Sequence, residues 1–297
     1  MTLSNLLLIL GSAVIHVVAH VALKRTRNRA ALVWWMLLWG GVLFSPVLIF
    51  GWHPVPPVAW GVMLLSAVFE ALYFASIAIA YQTGDLSVVY PLARGTAPVF
   101  LLIWSASFLG EHPTIGGVGG IVLIAAGLYL INLPLLGAWR EPLRALSHAG
   151  PRWALLAGLC ISFYTVIDRV GIGLLNPSPA AWPLLYTYLA LWWTWGLLTP
   201  WTLRTVGWAG LKEELRASRF SSVIAGFTTI AAYAVVLYAM RAGTPASYAG
   251  AVREISVVLG VAVGVFLLKE QGTVMRLVGS ALVVGGVAII ALFGRSV

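Results

Sequence analysis

Polar residues in this chain come in short clusters, and the stretches between them are almost wholly apolar and close to 20 residues long. A helix rises about 1.5 Å per residue, so roughly 20 residues cross the hydrocarbon core of a bilayer, about 30 Å thick. The pattern predicts ten such helices, over residues 3–21, 31–50, 58–81, 86–109, 115–135, 152–174, 181–201, 221–240, 246–268 and 274–293. Turn-forming or charged residues separate them, among them 24–29, 52–57, 82–85, 110–113, 176–179 and 243–245. Only the links at 137–150 and 204–219 are longer, so no soluble domain fits within the sequence.

A second pattern lies over the first. Gly84, Arg94, Glu111, Thr114, Gly120 and Gly127 recur, at one constant spacing and without a gap, as Gly243, Arg253, Glu270, Thr273, Gly279 and Gly286. A duplication follows, with five spans before the link and five after it. An odd number of spans per copy turns the copies upside down relative to each other, around a pseudo-twofold axis in the membrane plane. The expected fold is therefore an all-α integral membrane protein of ten transmembrane helices in two inverted five-helix repeats, residues 1–136 and 151–297, joined by a linker at 137–150. The recurring glycines suit close helix packing in lipid, where small residues let backbones approach.

Composition agrees with a lipid environment. Hydrophobic residues make up 61% and charged residues 9% of the chain, and the mean hydropathy is +0.96. No basic residue precedes the first apolar run, so that run is expected to stay as a span rather than leave as a signal peptide. The one cysteine, Cys160, excludes a disulfide within the chain and points to a structural role.

The net charge of +9 would suit nucleic acid, but its placement argues otherwise. Lys24, Arg25, Arg27, Arg29, Arg140, Arg144, Arg152, Arg204, Lys212, Arg216, Arg219, Lys269 and Arg276 all fall at odd-numbered links, while even links and termini carry only Arg241 and Arg295. This is the positive-inside bias, and it puts both termini outside the cytoplasm. The basic links meet anionic lipid headgroups, and no basic stripe with interleaved aromatics is left for a nucleic acid. Trp52, Trp60, Trp182 and Trp201 stand near span ends, as interfacial indoles do.

With Gly84, Pro98, the Leu109-Gly110-Glu111 exit, Gly120 and Gly127 in one copy, and Gly243, Leu268-Lys269-Glu270, Gly279 and Gly286 in the other, the whole chain resembles the EamA-type branch of the drug/metabolite transporter superfamily. The resemblance implies a multi-pass transporter of the bacterial inner membrane that works by alternating access, with a central cavity, no cofactor and no nucleotide hydrolysis. Two features depart from the family pattern. Val257 stands where the second copy would carry a counterpart of Pro98, and the pair Arg253-Glu254 is additional. Family members also usually keep their termini in the cytoplasm, against the charge bias of this chain.

Ionisable groups inside spans are costly and become functional candidates by default. Six are expected there: Glu70, Arg94, Asp168, Arg169, Arg253 and Glu254. Arg94 and Arg253 each lie about eight residues into their spans, a depth of about 12 Å, measured from opposite faces in inverted copies. Both can approach the midplane and offer a donor fork to a carboxylate or phosphate, with Glu70, Glu254, Tyr90, Tyr164 and Trp104 as further substrate-binding candidates. The same residues allow a structural reading, in which Glu70 and Glu254 neutralise the arginines in buried ion pairs.

Glu70, His16 and His20 are candidates for proton coupling. The two histidines share a helix face, although no third ligand makes a metal site of them. Lys24 and Asp168, matched between the first and sixth spans, are candidates for gating charges. The expected partners are a small-molecule substrate and membrane lipids.

These residues favour a secondary transporter of a small polar or amphipathic metabolite, anionic or zwitterionic, that is not an enzyme. The alternative is a flippase or an intramembrane enzyme acting on a lipid or polyprenyl phosphate. No nucleophile and base constellation supports the enzyme, and no filter-like loop supports a channel.

Overall fold

The structure is a computed structural model that describes residues 1–26, 28–83, 86–131, 133, 137, 139–140, 144–177, 179–267 and 274–294. It is all-helical. In order, the helices are α1 (Leu3–Arg25), α2 (Arg29–Leu43), α3 (Val47–Phe50), α4 (Pro57–Thr83), α5 (Leu86–Leu109), α6 (Ile115–Ile131), α7 (Ala149–Gly173), α8 (Trp182–Thr205), α9 (Gly207–Arg241), α10 (Ala246–Arg253), α11 (Ile255–Ala262) and α12 (Val274–Phe293).

Among the described residues, six stretches are long and apolar enough to cross a membrane, at 57–80, 92–109, 149–173, 207–241, 246–266 and 274–293. Three shorter apolar helices lie at 3–18, 29–43 and 115–131. Helix α8 lies at the place of the expected seventh span, its hydropathy lowered by five tryptophans and five threonines. The outer surface carries large apolar side chains such as Phe50, Ile115 and Phe266, 87%, 94% and 80% exposed. Groups so placed need a lipid surround, since water would penalise each of them.

Three expected spans are built differently from a single straight helix. The second, predicted over 31–50, breaks after Leu43 and resumes at Val47, across a turn containing Pro46, which has no N–H to donate to a helical bond. The link expected at 204–219 is mostly helical and runs into the eighth span as α9, with non-helical backbone at Ser218 marking the kink. The ninth is interrupted at Glu254, between α10 and α11, and ends in a π-helical turn, Val263–Leu267. The first copy's counterpart, α5, is continuous.

Packing follows a twofold scheme. Helix α4 packs on α7, and its repeat equivalent α9 packs on α1; α5 packs on α7, and α10 and α11 pack on α1; α4 meets α8, and α9 meets α2. Helices α6 and α12, themselves equivalent, form an extensive contact. Their glycines interlock reciprocally. A Cβ on Gly120 would lie 2.8 Å from the Gly286 carbonyl oxygen, and one on Gly286 would lie 2.6 Å from that of Gly120. Gly127 and Gly279 repeat this at 2.6 Å in both directions. Each glycine thus meets the other glycine's repeat equivalent, as an antiparallel pair around a twofold axis requires.

The copies are also joined through a helix end. Glu111, just past α5, accepts from the backbone N–H groups of Ala246 (2.5 Å) and Ser247 (3.2 Å) and from the Ser247 hydroxyl (2.7 Å). A carboxylate there satisfies orphan donors of α10 and faces the positive end of its dipole. Glu111→Ala should therefore lower stability by about 1–2 kcal/mol, the usual cost of a lost N-cap, with Glu111→Gln less affected. Thermal unfolding in detergent measures it; equal melting temperatures for parent and alanine variant would count against a capping role.

Candidate functional site

Where α1, α2, α4, α5, α7, α8, α9 and α10 converge, they enclose a cavity. Its charged lining comprises Glu70 from α4, Arg94 from α5, Asp168 from α7 and Arg253 from α10, with His16 from α1 also on the wall. Tyr73, Phe74, Tyr164, Tyr186 and Tyr233 supply an aromatic surround. Both repeats contribute, so the site lies at their interface.

Each charge is held differently. Arg94 Nη1 lies 3.1 Å from Glu254 Oε1 in a buried ion pair. The break between α10 and α11 falls at Glu254, whose N–H bonds the Ala251 carbonyl at 3.1 Å and whose own carbonyl accepts from Val257 at 2.9 Å. Arg253 is 9% exposed and makes no ion pair within 4 Å among the described residues. Its guanidinium lies 5.6 Å from the Tyr233 ring centre, and its Nε is buried without a hydrogen-bond partner among the described residues. Glu254 Oε2 is likewise buried and unpartnered. In low dielectric such atoms are expensive to leave unsatisfied.

The acidic side is better satisfied. Tyr186 donates to Asp168 Oδ1 at 2.9 Å, and Tyr233 donates to Oδ2. Thr194 Oγ1 lies 2.6 Å from Glu70 Oε2, to which it donates its one proton, and 3.1 Å from the Ala190 carbonyl oxygen. Tyr233 therefore touches both signs of charge, bonding Asp168 through its hydroxyl while its ring faces Arg253. Among the described residues, the cavity presents Arg253 as a cation that no carboxylate holds, facing two carboxylates that hydroxyls orient.

Of the residues singled out in the sequence, Glu70, Arg94, Arg253, Tyr164, His16 and Asp168 line the cavity, and Glu254 adjoins it through Arg94. Asp168, singled out as a gating charge, is 2% exposed on the cavity wall. Trp104 does not line the cavity; it stacks on Phe163 at 5.0 Å and Phe108 at 5.8 Å. The side chains of Tyr90, His20 and Lys24 lie outside the described residues. Sequence reasoning missed Ser66, Tyr186, Thr187, Thr194 and Thr229. Isolated hydroxyls in apolar helices commonly bond their own backbone, as Thr187 does to the Pro183 carbonyl, so nothing in the local pattern marks the ones that face a cavity.

A solved crystal structure superposes on this chain with a TM-score of 0.75 at 18% identity, covering 98% of this chain and 99% of its own, a likeness that establishes the fold alone. No curated protein matches the sequence. The sequence does match the EamA-like transporter family twice, over residues 3–133 and 148–292.

Proposed function

The chain belongs to the EamA-like transporter family and is a multi-pass membrane transporter of the drug/metabolite superfamily; from that premise we propose that it is a secondary transporter moving a small polar metabolite, anionic or zwitterionic, by alternating access around the cavity between its repeats. The observation that carries this reading is Arg253: a buried guanidinium in the cavity wall, held by no carboxylate and with its Nε unpartnered among the described residues. A planar donor fork in that setting suits a carboxylate or phosphate oxygen. Glu70 and Asp168 on the same lining offer acceptors to an ammonium or hydroxyl group of the same solute, which favours a zwitterion.

In this reading all ten expected spans cross the membrane, with α2 and α3 together forming the second and α10 and α11 the start of the ninth. The basic links face the cytoplasm of a bacterial inner membrane. Glu70 and His16, both on the cavity wall, are placed to take up a proton as substrate leaves.

The test is thermal unfolding of the detergent-purified protein against anionic, zwitterionic and cationic metabolites, followed by uptake of each stabilising compound into proteoliposomes. A ligand at 100 times its Kd adds about 2.7 kcal/mol to the native state. Zwitterions or anions should stabilise the parent, accumulate chemically unchanged, and have no effect on Arg253→Gln. Stabilisation by cations alone, or recovery of a chemically altered product, would refute the proposal.

A further inference from the structure

The repeats agree in placing an arginine at equivalent positions, Arg94 and Arg253, and differ at the next residue, which is Gly95 in the first copy and Glu254 in the second. Perfect symmetry would give each arginine an acid from the opposite repeat. Glu254 supplies one to Arg94 at 3.1 Å, reaching across from the break between α10 and α11. Gly95 has no side chain to return the contact, and among the described residues Arg253 is left facing the Tyr233 ring.

We propose that Glu254 is a specificity-determining residue: it masks Arg94 and leaves Arg253 as the single anion anchor, so the site takes a solute with one anionic group and rejects one with two. The proposal rests on the anionic or zwitterionic reading above. A dianion spanning both arginines would have to displace Glu254 from Arg94, leaving that buried carboxylate without a cation. Its second charge would also face Glu70 and Asp168, which line the same cavity. A solute with one anionic group meets neither penalty. It takes the donors of Arg253 and points any ammonium or hydroxyl group at the two acids. The asymmetry between copies thus converts a two-arginine site into a one-arginine site.

The experiment titrates the full-length protein in detergent with sodium propionate and, separately, sodium succinate at constant ionic strength, reading apparent Kd from the shift in melting temperature. Four proteins are compared: the parent, Arg253→Gln, Glu254→Gln, and the double variant Arg94→Gln with Glu254→Gln. The double variant replaces the ion pair by two neutral amides and so stays informative should the single glutamine variant fail to fold.

The parent should prefer propionate. The double variant should keep the propionate response within about twofold, because Arg94 was never available, and Arg253→Gln should lose it. Glu254→Gln should gain about tenfold or more in succinate affinity, the worth of one charge-assisted contact. The proposal is overturned by a double variant as unresponsive to propionate as Arg253→Gln, by a folded Glu254→Gln without the succinate gain, or by a parent that binds both probes equally. The anion anchor survives in each of those cases. A parent that responds to neither probe removes the anion reading itself, and the masking role with it.

Discussion

Gly127→Leu is expected to abolish the folded protein, while Gly119→Leu, on the same helix, leaves it intact. A Cβ on Gly127 would sit 2.6 Å from the Gly279 carbonyl oxygen and 2.9 Å from the Val283 nitrogen, whereas one on Gly119 has nothing within 4 Å. Overpacking against side chains costs about 1–3 kcal/mol. Here the obstacle is backbone, which cannot rotate aside, so the two helices must separate. Separation also undoes the reciprocal contact of Gly120 with Gly286, because the two contacts belong to one helix pair. Association in lipid depends on such close packing rather than on exclusion of water. Monodisperse yield after detergent extraction measures the effect; comparable yields for the two variants would show that the α6 and α12 contact does not hold the repeats together.

The second large effect is expected at Asp168. Asp168→Ala removes the acceptor of two tyrosine hydroxyls, Tyr186 and Tyr233, and an unsatisfied buried donor costs about 1–3 kcal/mol for each group. Tyr186 is fully buried, so a lost acceptor there is costly. Asp168→Asn keeps an acceptor and nearly the same shape, so it should retain most of the stability. It removes a negative charge from the cavity wall, however, and should slow uptake of a zwitterion about tenfold or more. Melting temperature and proteoliposome uptake, measured on both variants, separate the two effects. An alanine variant as stable as the parent would show that the tyrosines find other acceptors, and an asparagine variant with parental uptake would remove Asp168 from the substrate path.

The constant spacing between the copies was legible residue by residue, since Arg94 with Arg253 and Gly120 with Gly279 need only be laid side by side. The interruption of the ninth span was not. Its sequence is as apolar as that of its neighbours and lacks a proline between Ala246 and Leu267, yet the helix breaks at Glu254. The break accompanies a tertiary contact, the reach of Glu254 to Arg94, that local propensity does not encode. The kink at Ser218 is a similar case, because 204–219 reads as a polar link while its residues are good helix formers that continue the helix.

Candidate site residues were legible as a type and illegible as an arrangement. Any ionisable residue within an apolar span stands out, which is why Glu70, Arg94, Asp168, Arg253 and Glu254 could be named in advance. Their partners could not, because Arg94 and Glu254 are 160 residues apart and Asp168 meets hydroxyls from two other helices.

By itself, then, the sequence determined the lipid environment, the helical class, the order of the apolar segments and the duplication, because hydrophobicity and repetition are properties of positions along a chain. Only the tertiary structure decided that Arg94 pairs with Glu254, that Arg253 pairs with no carboxylate among the described residues, and that Asp168 and Glu70 share their cavity. Those facts depend on how each helix is rotated about its axis. In water a polar face would have revealed that rotation, but a helix surrounded by lipid on one side and packed on the other is apolar all round, and only the contacts themselves record which side turns inward.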